Sequence, residues 1–165
     1  MKIVSKLTSI FDRTLNIMLI ISAILVIVTA IIVNVGIFTR TFLNLPIAWV
    51  PEISGYILLY ITFLVAAWVL KEEGHVKMDM VLGYLKPKTQ SMMNVVTSAI
   101  SAIVSAILAW YGMKVTVDLF QSGYFTPTIL ELPKFIFTIS IFIGSLLLFI
   151  QFIRRTLNNL ENWKA

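Results

Sequence analysis

The sequence predicts an all-α integral membrane protein with four transmembrane helices, both termini cytoplasmic, opened by an amphipathic interfacial helix. Three observations predict it. Hydrophobic residues make up 59% of the 165 and charged residues only 13%, about half the charged share of an ordinary soluble domain, so the chain needs lipid as part of its solvent. The apolar residues fall in four long stretches, with every charged residue outside them. Lys and Arg are divided unequally between the two ends of those stretches. The whole of 1–165 reads as a single four-helix membrane domain.

In residues 1–13, Ile3, Val4, Leu7, Ile10 and Phe11 share one helical face and Lys2, Ser5, Lys6, Ser9, Asp12 and Arg13 the other. That pattern predicts a helix lying on the inner leaflet. The uncharged stretch 14–39 follows; at ~1.5 Å per residue it reaches ~39 Å, more than a ~30 Å hydrocarbon core, so it tilts or protrudes. No small-residue cleavage site precedes Arg40, and this span is expected to stay as an anchor. The second span, 53–70, reaches ~27 Å, just enough to cross. The third and fourth spans are 89–113 and 135–153. Pro51 and Glu52 before the second span, Pro87 before the third, and Glu131 with Pro133 before the fourth mark helix starts. A proline in the first turn loses no hydrogen bond, and a carboxylate there meets the positive end of the helix dipole. Val76 to Leu85 and the stretch holding Leu157, Leu160 and Trp163 show weaker amphipathic patterns.

Orientation follows from the bases. Lys2, Lys6, Arg13, Lys71, Lys77, Lys86, Lys88, Arg154, Arg155 and Lys164 lie on one side, and only Arg40, Lys114 and Lys134 on the other. Cationic loops stay where insertion begins, so the richer side, with both termini and the 71–88 loop, is cytoplasmic. The net charge of +5 flanks apolar blocks instead of forming one soluble patch, which argues for topology signals and against nucleic-acid binding.

Much chemistry is excluded. Cys is absent and His occurs once, which removes disulfides, thiolate ligands and a bis-His haem, and no cofactor is expected. None of the four spans contains Asp, Glu, Lys, Arg or His. Ion-coupled carriers and pumps bury such a residue because something must replace an ion's hydration in hydrocarbon, so a self-sufficient carrier is disfavoured. The acidic 72–79 cluster of Glu72, Glu73, His75 and Asp79 lacks a metal's usual ligand set and reads better as a solvated cap or a contact to headgroups or a partner.

Two surfaces are candidates for partners. Ser98, Ala102 and Ala106, with Ser101, Ser105 and Ala109 beside them, form small-residue ridges at four-residue spacing on the third span. Such ridges let helices approach closely, either against another subunit or, as four helices must pack somehow, against the chain's own spans. Arg40, Trp49 and Glu52 cluster at the outer surface, with Trp110, Tyr111, Tyr124 and Phe125 at the same level. Aromatics there form an interfacial belt or a docking surface. Asn16 and Asn34, near the two ends of the first span, read as interfacial hydrogen-bonding residues.

The run Arg40-Thr-Phe-Leu-Asn-Leu-Pro46, then Trp49 and Glu52, then Phe63-Leu-Val-Ala-Ala-Trp-Val-Leu-Lys71 and Gly74-His75-Val-Lys-Met-Asp79, resembles the small membrane subunit, DctQ-like or Q, of tripartite ATP-independent periplasmic (TRAP) transporters. Gly123 through Thr128 to Leu132-Pro133 is similar to that family's outer turn before its last span. Lys71 stands where the family often has Arg, and Phe135 with Phe137 where a Trp-led pattern is usual; neither departure alters charge or topology. The resemblance implies a bacterial inner-membrane subunit, not an enzyme. Its implied partners are a large multi-span transport (M) subunit holding substrate and sodium sites and a periplasmic substrate-binding (P) protein, which together import carboxylates such as dicarboxylates or sialic acid-like sugar acids. The alternative is a tetraspan assembly protein without a transport role. An enzyme built on the 71–79 loop ranks last.

Overall fold

The computed structural model describes residues 2–72 and 87–164, with side chains over 8–72 and 92–160. Four helices account for nearly all of them: α1 Lys2–Phe42, α2 Trp49–Glu72, α3 Pro87–Ser122 and α4 Phe135–Lys164. Each contains a stretch long and apolar enough to cross a membrane. His75, Asp79, Glu73 and the Val76 to Leu85 stretch lie outside the described residues.

The helices outrun the apolar stretches because a charge ends a span but does not break a helix. At 41 residues α1 is ~61 Å long and α3, at 36, ~54 Å. The expected interfacial segment 1–13 is corrected in one respect: 2–13 is helical but not a separate element. With no Pro in α1 and no Gly before Gly36, nothing interrupts the hydrogen-bond ladder, and the segment forms the opening turns of α1. Likewise α3 runs past Lys114 and Asp118 to Ser122, where Gly123 takes a left-handed φ of 58° and turns the chain. Asn44, at φ 51°, does the same after α1, with the Thr39 carbonyl accepting the Leu43 and Leu45 N–H groups at 3.1 and 3.2 Å. The proline signals hold their places: Pro51 sits in the first turn of α2, Pro87 opens α3, and Pro133 lies just before α4.

Among the described residues the extensive packing joins α1 to α2, α2 to α4 and α4 to α3, giving the order α1–α2–α4–α3, with α1 also meeting α4 at one end through Asp12 and Arg154. A glycine marks each contact. A Cβ on Gly36 would lie 2.8 Å from the Val50 side chain, one on Gly112 3.3 Å from the Phe142 backbone, and one on Gly144 2.6 Å from Cβ of Phe63. The helices therefore approach where a side chain is missing, as expected where lipid removes the hydrophobic drive and close van der Waals contact holds helices together. The core is thin: Leu15, Ala67 and Leu147, from α1, α2 and α4, form its centre, with Phe11, Met18, Trp68 and Leu148 against it.

The two ends of the row differ. The basic end, where α1 begins and α4 finishes, carries an ion cluster: Arg154 Nη1 meets Asp12 Oδ1 at 2.6 Å, and Lys71 Nζ lies 3.8 Å from the same oxygen. Asp12 thus joins α1 to both α2 and α4. One turn further, Trp68 Nε1 donates to Asn16 Oδ1 at 3.2 Å. At the other, turn end lie the 43–48 connection and the 123–134 turn.

Candidate functional site

The turn end holds the better-built of the two candidate surfaces, and its centre is the 123–134 turn. Gly123 reverses the chain, after which Lys134 N–H donates to the Tyr124 carbonyl (3.1 Å) and Thr126 N–H to the Leu132 carbonyl (2.9 Å). These bonds flank an isolated antiparallel bridge between Phe125 and Pro133. The remaining arc is tightened by Glu131 N–H donating to the Thr128 carbonyl at 3.2 Å, with Glu131 held at φ 42°. A positive φ is uncommon outside glycine and persists where surrounding contacts over-determine it.

Those contacts run through hydroxyls to α2. The buried Thr126 Oγ1 accepts the Leu132 N–H at 3.0 Å and lies 2.9 Å from Thr128 Oγ1. Thr128 Oγ1 in turn contacts Glu52 Oε1. A hydroxyl has one proton, and a carboxylate can only accept, so Thr128 gives its proton to Glu52 and takes one from Thr126. Tyr56, one turn along α2 from Glu52, donates to the same carboxylate oxygen at 3.1 Å and stacks on Phe137 of α4 at 3.7 Å between ring centroids. Tyr60, a further turn along, donates to the Ile136 carbonyl. One face of α2 therefore fixes both the turn and the start of α4.

The residues singled out at this surface divide accordingly. Glu52 is half-buried and occupied by Thr128 and Tyr56, and it makes no ion pair with Arg40. Arg40 is exposed, and among the described residues its guanidinium has no partner. Trp49 opens α2 and keeps 39% of its surface exposed. Around them Phe42, Leu45, Phe125 and Ile129 are also exposed, and Lys134 lies 5.4 Å over the Tyr124 ring. The surface is apolar, dotted with single charges, and built on a hydrogen-bonded frame. Trp110 and Tyr111, also exposed, stand on α3 away from the turn in sequence.

The second candidate, the small-residue ridge of α3, is covered by the chain itself. Ser98, Ala102, Ser105 and Ala109 are buried and Ser101 and Ala106 half-buried, on a helix whose main neighbour is α4. Thr116 Oγ1 bonds Thr138 Oγ1 across the same contact at 3.0 Å. In the described chain the ridge is an internal seam.

Sequence reasoning did not find the Thr126–Thr128–Glu52 connection or the Asp12 cluster. Threonines in a turn carry no spacing signal for a contact seventy-six positions away. A faint signal existed for Asp12, the one acid in residues 1–13 beside Lys2, Lys6 and Arg13. Asn34, read as interfacial, donates to the Ala30 carbonyl of its own helix at 2.7 Å.

A comparison with protein families matches residues 29–162 to the family described as Tripartite ATP-independent periplasmic transporters, DctQ component. No curated protein matches the chain.

Proposed function

Because the chain belongs to the DctQ component family of tripartite ATP-independent periplasmic transporters, we propose that it is the small membrane subunit of a sodium-coupled importer of carboxylates, dicarboxylate or sialic acid-like. In this role it is a scaffold for the large transport (M) subunit and part of the docking face for the periplasmic substrate-binding (P) protein. It resides in the bacterial inner membrane with both termini and the basic end cytoplasmic, so the turn end faces the periplasm. The observation that carries this reading is the absence of Asp, Glu, Lys, Arg and His from 14–39, 53–70, 89–113 and 135–153. Segments of that kind have no means of holding a charged solute or ion in hydrocarbon, so substrate and sodium sites belong to a partner. Packed helices with apolar flanks suit a scaffold, and the exposed Arg40 and Trp49, at the same end as the framed turn, suit a docking face.

Reconstitution tests it. Liposomes holding this chain with the large subunit, supplied with the binding protein and an inward sodium gradient, are expected to take up a carboxylate from a substrate panel, and omission of any one component is expected to abolish uptake. Arg40→Ala is expected to raise the binding-protein concentration needed for half-maximal uptake several-fold, the scale of one rim charge lost from an interface. Sodium-driven uptake by this chain alone would refute the proposal.

A further inference from the structure

We infer that Glu52 serves transport as a positioning residue, a strut that sets the shape of the 123–134 turn, and not as a charge presented to the partner. The inference rests on the reading of the turn end as a docking face. The carboxylate is half-buried and already accepts from two hydroxyls, Thr128 and Tyr56, which leaves it poorly placed to meet another protein. What it supports is exposed: Ile129 at the tip of the turn is 70% accessible, and Phe125 55%. Among the described residues, the bond from Thr128 to Glu52 is the one hydrogen bond that links the 124–132 arc to another helix. Thr126 extends it to the Leu132 N–H, next to the left-handed Glu131. The path Glu52–Thr128–Thr126–Leu132 thus transmits the position of α2 to the backbone that displays the apolar tip. Preformed loops bind with less ordering cost than mobile ones, so a strut of this kind acts on docking without touching the partner.

The two roles separate by substitution. Glu52→Gln removes the charge but keeps an oxygen that accepts from Thr128 and Tyr56; Glu52→Ala removes both, and Thr128→Val removes the donor while leaving α2 untouched. Cys is naturally absent, so spin labels placed by Gly55→Cys, where an added side chain meets open space, and Ile129→Cys report the turn's distance from α2 in the assembled complex. The expected result is one narrow distance distribution both with Glu52 in place and in the Glu52→Gln variant, broadened by Glu52→Ala and by Thr128→Val. Uptake with the same variants is expected to be retained in Glu52→Gln and to fall roughly tenfold in Glu52→Ala and Thr128→Val, the scale of one hydrogen bond to a charged group. The double variant is expected to be no worse than either single one. An unchanged distribution in Glu52→Ala and Thr128→Val overturns the strut and leaves the docking reading standing. Broadening with full uptake overturns the positioning role together with the docking reading. Glu52→Gln as defective as Glu52→Ala, with its distribution still narrow, overturns the proposal in favour of a direct charge role.

Discussion

Gly144 lacks a side chain where Phe63 leaves no room for one. Its added Cβ would stand 2.6 Å from the Phe63 Cβ and would also meet backbone atoms, which cannot swing aside as a flexible side chain can. Gly144→Ala is therefore expected to push α2 from α4 and to cost ~1 to 3 kcal/mol, the usual size of an overpacked contact. Chemical unfolding in detergent measures it, with Gly55→Ala as the comparison. At Gly55 nothing lies within 4 Å, and an exposed helical glycine replaced by alanine stabilises by ~0.5 to 1 kcal/mol. The sequence marks Gly144 as small, together with Ser140 four positions earlier, but it does not say which helix comes near. Glu52 shows the same limit. Its place at a helix start is legible from Pro51 and the dipole rule, whereas its partner Thr128 belongs to a turn that only the folded chain brings alongside.

At the scale of elements, α3 shows how a spacing rule drifts. Ser98, Ala102 and Ala106 share a four-residue spacing in the sequence, yet the buried positions are 98, 102, 105 and 109. A helix has 3.6 residues per turn, so steps of four rotate steadily off a straight contact, and alternating steps of four and three stay on it. Ala102→Leu adds bulk inside this seam and is expected to destabilise the chain by ~1 to 3 kcal/mol. Ile103→Ala, at a side chain 61% exposed, is expected to change unfolding in detergent little. A sizing profile and an unfolding curve for each variant check the pair; equal effects would show that the seam is not a close contact. The four spans themselves were readable because an uninterrupted apolar run has one outcome in lipid. The ends of the helices were not, since Lys114, Asp118 and the 2–13 segment obey backbone rules that charge does not alter.

Over the whole molecule, the arrangement of the row rests on a few side chains. Asp12 touches Arg154 and Lys71 and so draws the ends of three helices together. Asp12→Ala is expected to cost up to ~1 kcal/mol, because partly exposed ion pairs are weak. A double-mutant cycle with Arg154→Ala is expected to recover a coupling of ~0.5 kcal/mol or more between sites 142 positions apart; additive effects would show that the pair contributes nothing. The order α1–α2–α4–α3 was beyond sequence reasoning, which can count spans but not rank their neighbours. That order has a mechanical result. Each of the four helices keeps most of its apolar stretch uncovered by the others, so a change in membrane thickness is expected to act on all four together. Coupled by one close glycine contact in each packed pair and by charge at one end, they are expected to tilt as a raft tilts, one plank carrying the next.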